Sequence, residues 1–166
     1  MDLRQGPKIS LLMQLQAVYG LIPGSAATWQ FSPPVILSSD PDGRNTKIKL
    51  TPLVTNPTYT KPRTFRYNRC MLANLKRLFP VPAMLALDPA VTSTYGAFAY
   101  LLKTYGVLFD ASDVEDLPIT IDTDGAPLIT LQSKDSSLLW RGSVVVKSGG
   151  LPHISKAINP AYFEWS

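Results

Sequence analysis

The sequence predicts an α+β fold made of two related helix–β–β–β units with antiparallel strands, joined by a short helical connector and followed by a C-terminal arm. Three observations predict it. Two apolar-periodic stretches end on a Tyr-Gly pair plus an apolar residue, Tyr19-Gly20-Leu21 and Tyr105-Gly106-Val107, the pattern of a left-handed glycine cap. Each is followed by an Asp-x-Asp-Gly turn, Asp40 to Gly43 and Asp122 to Gly125, where the carboxylate can bond the backbone two residues on. The halves also match at near-constant offsets. Val35, Leu37, Asp40, Asp42 and Gly43 lie 82 positions before Leu117, Ile119, Asp122, Asp124 and Gly125, and Ile48, Leu50 and Tyr59 lie 81 before Ile129, Leu131 and Trp140. The Tyr-Gly pairs stand 86 apart, which leaves a few extra residues in the first half's loop. An ordered series at a fixed period marks an internal repeat. The predicted boundaries are 1–69 for the first unit, 70–93 for the connector, 94–147 for the second unit and 148–166 for the arm.

The elements follow in order. Pro7 suits a first helical turn, where its missing N–H costs nothing. Ile9, Leu12, Leu15, Val18 and Tyr19 then trace an apolar stripe up to Gly20. The run TWQFSPPVILSS is extended, and Pro33-Pro34 confines it to an edge or a bulge. Thr46 to Val54 and Lys61 to Asn68 read as the next two strands. In the connector, Met71, Leu72, Leu75, Leu78 and Phe79 predict a short helix closed by Pro80. Its apolar content implies packing between the units. Thr92 or Ser93 is placed to cap a helix starting near Tyr95, with Tyr95, Phe98, Leu101, Leu102 and Tyr105 on one face. Leu117 to Ile121, PLITLQ and WRGSVVVK complete the second unit as three strands. Helix face and strand faces must cover one another, so Phe98, Leu101, Leu102, Ile119, Leu131 and Val145 are the expected core.

Composition narrows the function. A chain of 166 residues with 45% hydrophobic content can bury a core. No apolar run is long enough to span a membrane, and MDLRQGPKISLLMQLQ lacks the apolar region and cleavage site of a signal peptide. The expectation is a protein made and kept in a cytoplasm. The single cysteine, Cys70, forbids an internal disulfide, and its apolar neighbours suggest an inert buried thiol. Residues 1–80 hold 11 Lys/Arg against 3 Asp/Glu, a net +8, whereas residues 81–166 hold 5 against 9, a net −4, which together give the +4 of the whole chain. So dipolar a chain can hold its own halves together or stack head to tail on copies of itself.

No residues are arranged for chemistry. His153 is the only histidine and has no neighbours to serve as base partner or metal co-ligand. Asp110, Asp113, Glu115 and Asp116 could suggest acid–base work, but Ser112 and Glu115 have capping-box spacing, so a solvated turn explains the cluster. The Asp-x-Asp-Gly turns lack the next oxygen ligands of a calcium loop, holding Arg44 and Ala126 instead. The expectation is no enzyme, no cofactor and no metal.

One rival feature stands out. Between residues 61 and 79, Lys61, Arg63, Arg66, Arg69, Lys76 and Arg77 interleave with Phe65, Tyr67 and Phe79. Such a mixture can bind single-stranded nucleic acid. In a strand, however, Phe65 and Tyr67 share one face and Thr64 and Arg66 the other, so an apolar inner face and a basic outer face is the simpler reading. Arg63, Arg66 and Arg69 are then expected to face an acidic protein surface, such as the Asp110–Asp124 region of a neighbour.

The segments DGRNTKIKLTP and YTKPRTFRYNR, with their NT-x-[IV]-x-L strand and their strand ending in YNR, resemble a repeated module in virion structural proteins of large tailed bacteriophages. The second half, from YGVLFDASDVEDLPI to SLLWRGSVVVK, is similar to the partner unit, and Gly142-Ser143 keeps its expected step. Lys61-Pro62 departs from the module, so that strand is expected to start differently. The resemblance spans residues 8–147. It implies a non-enzymatic particle component of tail, neck or baseplate, assembled in the host cytoplasm and partnered by other virion proteins or copies of itself. After Gly149-Gly150, the arm carries Leu151, Ile154, Ile158, Tyr162, Phe163 and Trp165. So much apolar surface needs cover, and docking on a neighbouring subunit is the expected outcome.

Overall fold

The computed structural model describes residues 4–20, 25–75 and 86–149. Among the described residues it is a mixed α+β protein with two helices and several antiparallel strands. Helix α1 (Pro7–Tyr19) opens with its proline in the first turn and stops at Gly20, which takes φ 62°. Helix α2 (Phe98–Tyr105) stops in the same way at Gly106, φ 66°. In each, the glycine N–H returns to the carbonyl four residues earlier, Gln16 or Leu102. A side chain at either position would face the left-handed penalty that glycine avoids.

Leu12, Leu15, Leu101 and Tyr105 are buried as expected, but each helix's buried face is rotated from the rest of the predicted stripe. In α1, Ser10, Leu11, Leu12 and Leu15 are buried, while Ile9, Val18 and Tyr19 are exposed. In α2, Tyr100, Leu101, Thr104 and Tyr105 are buried, Phe98 is half-buried and Leu102 is 39% exposed. The predicted start near Tyr95 also moves. The Thr94 N–H donates to the Leu117 carbonyl at 2.8 Å and the Tyr95 N–H to Asp116 Oδ1 at 2.9 Å, which holds this stretch as a bridge beside Pro118 and delays the helix to Phe98. The α2 rotation gives a direct check. Leu101→Ala should cost about 3 kcal/mol in urea unfolding, and Leu102→Ala less than about 1 kcal/mol. Equal costs would mean the face is misassigned.

Strand β3 (Thr46–Pro52) is central to the first sheet, with Thr46, Ile48 and Leu50 buried and Lys47 and Lys49 exposed. Strands β1 (Trp29–Phe31), β2 (Val35–Ile36) and β4 (Arg63–Tyr67) all pair with it antiparallel. Thr46 and Lys47 pair with both β2 and β4, and Leu50 with both β1 and β4, so β1 and β2 share one edge and β4 takes the other. The edge strand is broken at Pro33-Pro34, as a proline pair requires. Ser32 bridges the break, donating its N–H to the Lys49 carbonyl and accepting the Lys49 N–H on Oγ.

In the second half, β7 (Pro127–Gln132) pairs antiparallel with β6 (Thr120–Ile121) and β9 (Ser143–Lys147). Three expectations are corrected here. The strand from Leu117 shrinks to Thr120–Ile121, with Ile119 half-buried and Ile121 exposed. WRGSVVVK splits at Gly142, φ 80°, into β8 (Trp140–Arg141) and β9. On β9, Val146 is buried and Val145 is 46% exposed, because Val146 stands opposite buried Ile129 while Val145 stands opposite Thr130 on the outer face. Leu131 is buried as expected.

Strand β8 joins neither sheet. It pairs in parallel with β5 (Cys70–Met71), Cys70 against Trp140 and Met71 against Arg141. A 3-10 turn at Leu72–Asn74 follows, and Leu72 and Leu75 are fully buried. The start of the connector therefore packs into the molecule, and Met71 lies on its exposed side. The predicted helix end at Leu78, Phe79 and Pro80 falls outside the described residues. One core runs through both halves, with Leu11, Leu15, Ile48, Leu72, Leu101, Ile129 and Trp140 all at 1% exposure or less.

Candidate interaction surface

Alternation along β4 decides what its basic residues can do. Phe65 and Tyr67 point into the core, and Thr64 and Arg66 point out. Arg63 is exposed and lies over the Tyr59 ring, 4.8 Å from the centroid. Arg66 donates to Asp40 Oδ2 at 2.8 Å, with Arg66 half exposed and the Asp40 carboxyl buried. Lys47 stands directly opposite Arg66, an unfavourable like-charge pair that Asp40 relieves. Lys47, Lys49 and Arg66 thus form a cationic outer face on the first sheet, while Arg63, opposite buried Leu50, is exposed at the end of the other face.

Arg69 does not join that face. It is 4% exposed, and its guanidinium donates to Thr46 Oγ1 at 3.2 Å and to the Asp135 and Ser137 carbonyls at 3.2 and 3.1 Å. Beyond the end of β4 the chain turns inward, because Asn45 Oδ1 accepts the Arg69 N–H at 2.9 Å and Asn45 Nδ2 donates to the Arg69 carbonyl. Burial lowers the Arg69 pKa. Arg69 is a clamp between the halves, a role its basic neighbours disguised in the sequence. Tyr67 adds to the clamp, donating its hydroxyl to the Leu138 carbonyl at 2.9 Å.

The two Asp-x-Asp-Gly turns are built alike. Asp40 Oδ1 accepts the N–H groups of Asp42 and Arg44, and Asp122 Oδ1 those of Asp124 and Ala126. Asp122 is paired with Lys147 as Asp40 is with Arg66. Desolvation pulls the Asp40 carboxyl up, but the two N–H groups and Arg66 outweigh it and hold the pKa below its ordinary value. Asp122 is also lowered, chiefly by Lys147.

The carboxylate cluster is corrected at one member. Asp110, Glu115 and Asp116 are exposed, but Asp113 is fully buried, accepting Ser137 Oγ–H at 2.9 Å and the Asp110 N–H at 3.3 Å. Asp110, rather than a Ser112/Glu115 box, caps this turn through the Ser112 N–H at 2.8 Å. Desolvation raises Asp113 to about 6 from an ordinary 3.8 despite both hydrogen bonds. The folded state holds this proton more tightly than the unfolded chain. The resulting stability is therefore complete below about pH 4 and lost as pH rises through about 6. Asp113→Asn removes this titration. The wild-type-minus-variant unfolding free energy should then fall by about 2–3 kcal/mol from pH 4 to pH 7 in urea titrations. A constant difference would show that Asp113 is not desolvated. Asp40 and Asp122 act with the opposite sign, losing stability as pH falls, but they cancel in this comparison.

Cys70 is half-buried, and desolvation raises its thiol pKa, in keeping with an unreactive side chain. A groove of about 440 Å³ lies between Leu87, Val91, Ile119, Ile121, Pro127 and Gly149. Among the described residues no cluster of His, Cys, Asp or Glu could hold a metal ion, and no helix is long and apolar enough to cross a membrane. His153 and the arm residues Leu151, Ile154, Ile158, Tyr162, Phe163 and Trp165 lie outside the described residues.

A family model described as a family of unknown function, DUF7941, matches residues 21–161. The chain belongs to that family. The match takes in both sheets, the junction between them and part of the arm. No curated protein matches the chain, and no solved structure does.

Proposed function

We propose that this DUF7941 protein is a non-enzymatic structural component of a tailed-phage virion, in the tail, neck or baseplate, built of two related helix–β–β–β units and working through protein–protein contacts. The virion assignment rests on the resemblance of its strand segments. The contact role rests on one observation: the first sheet is apolar inside and cationic outside, with Lys47, Lys49 and Arg66 turned to solvent on the outer face and Arg63 exposed at the strand end. Such a face suits an acidic protein surface reached during assembly in the host cytoplasm. The two-unit reading is supported by the pairings. Lys47↔Arg66 and Ile48↔Phe65 recur 81 positions on as Leu128↔Lys147 and Ile129↔Val146. Trp29↔Pro52 and Ile36↔Thr46 recur as Val114↔Ser133 and Ile121↔Pro127, offset by 85 on one strand and 81 on the other. The early strands thus align three residues away from the offset of 82 taken from Val35 and Leu37.

The alternative is a nucleic-acid-binding accessory protein. It gains from the same cations but loses its stacking partners, because Phe65 and Tyr67 are buried. Mass spectrometry and reconstruction of purified particles test the main reading. Arg63→Glu with Arg66→Glu should reduce incorporation at low salt, and the deficit should shrink as salt rises and screens the charges. A chain absent from particles, or one whose reversal abolishes only binding to single-stranded DNA, would reject it.

A further inference from the structure

Residues 134–138, the loop after β7, are held from two sides by buried ionisable side chains, Arg69 and Asp113. On one side Arg69 donates to the Asp135 and Ser137 carbonyls, and the Tyr67 hydroxyl donates to the Leu138 carbonyl. On the other, Asp113 Oδ1 accepts the Ser137 hydroxyl, and the Asp113 carbonyl accepts the Lys134 N–H, both at 2.9 Å. Ser137 belongs to both sides. Its carbonyl faces Arg69, and its Oγ links Asp113 to the Trp140 N–H at 3.1 Å. The grip of the first half on this loop therefore passes through the residue that Asp113 holds.

Asp113 has no charge to balance its own. Asp110, on the same turn, is a second carboxylate and accepts the Ser112 N–H. Lys8 of α1 acts on Asp110 instead. Lys134 sends its ammonium to the Tyr95 hydroxyl and the Ala111 carbonyl, and Arg69 commits its guanidinium to Thr46 and the two loop carbonyls. Glu115, Asp116 and Asp135 are exposed. Among the described residues no cation bonds the Asp113 carboxyl, which is 0% exposed. Loss of its proton puts an unpaired charge where solvent does not reach, and that charge must regain water.

The least disruptive way to hydrate it is to move the loop. Between Lys134 and Leu138 only Ser137 is fully buried, whereas Leu139 and Trp140 beyond it are anchored in the core. The segment can swing on those anchors and expose one half-buried leucine, Leu138, and local openings of this kind lie well below global unfolding in free energy. We propose that the Asp113 carboxyl is a proton-operated latch on residues 134–138: protonated, it keeps them closed against Arg69 and Tyr67, and ionised, it lets them swing into solvent. With the latch open, the halves stay joined by the β5–β8 pairing and the shared core, without the Arg69 and Tyr67 clamp. The junction is thus tighter in mild acid than at neutral pH.

Native-state amide hydrogen exchange on the full chain tests this, with each rate corrected for its intrinsic pH dependence. The reporters are the Lys134 and Trp140 amides, whose acceptors are the Asp113 carbonyl and Ser137 Oγ. The closed loop holds a proton that the open one releases. Protection should therefore fall about tenfold per pH unit between about pH 4 and 6 and then level off, about 100-fold in all. Asp110 has a lowered pKa and acts with the opposite sign, so it cannot mimic this fall. Exchange of both reporters should be indifferent to low urea, whereas that of the Ile48 amide in β3 should follow urea, because global unfolding exposes far more surface. Asp113→Asn, which has no proton to lose, should abolish the fall. Protection that does not change with pH, or that changes only in step with Ile48 and with urea, would overturn the latch. The wild-type profile decides by itself, so the test stands even if the variant folds poorly.

Discussion

Arg69→Ala is expected to lower the unfolding free energy by about 3–5 kcal/mol, since it leaves the Asp135 and Ser137 carbonyls and Thr46 Oγ1 without their charged donor. Thr46 and Ser137 are buried beside Arg69, where water has little access to them. Arg69→Lys keeps the charge but cannot reach two carbonyls and a hydroxyl with one compact ammonium, so it should recover only part of the loss. Arg66→Ala is the control. Its guanidinium is half exposed, and Asp40 keeps two backbone N–H donors without it, so Arg66→Ala should cost clearly less than Arg69→Ala. Similar costs for the two arginines in urea unfolding would refute the clamp.

Trp140→Ala should have an effect of the same size, about 3–5 kcal/mol. Trp140 is fully buried, and its ring lies 5.3 Å from that of Phe109. The loss would come from volume and packing rather than from a hydrogen bond, because the indole Nε1 has no hydrogen-bond partner among the described residues. Trp140→Phe should therefore retain more than half of the lost stability. If phenylalanine costs as much as alanine, the indole nitrogen has a role that packing does not explain.

The features legible in the sequence are those fixed by backbone chemistry. Gly20 and Gly106 end helices because only glycine takes that conformation cheaply, and Pro33-Pro34 breaks an edge strand because proline donates no hydrogen bond. Asp40 and Asp122 close turns through bonds two residues long. What the sequence hid depends on distant partners. Arg69 looks like Arg63 and Arg66 until the chain bends at Asn68 and presents it to carbonyls 66 and 68 residues away. Asp113 looks solvated until Ser137 closes over it. The exact rotation of the two helices is hidden for a related reason. Both helices are apolar on several sides, so periodicity alone could not choose between Leu101 and Leu102, and the sheet beneath made the choice.

The parallel pairing of Cys70 with Trp140 also orders events during synthesis. Strands β1 to β4 can close as soon as residue 67 has left the ribosome, since all their partners precede it. Leu72 and Leu75 cannot be covered by β8 and β9 at that moment. Trp140 is added 70 residues after Cys70, a delay of about 4–14 s at roughly 5–20 residues per second. Throughout that interval a finished sheet carries an uncovered apolar tail, the kind of surface that draws nascent chains together. Slow translation between residues 75 and 140 should therefore lower the soluble yield of this protein, while slow translation after residue 147 should not.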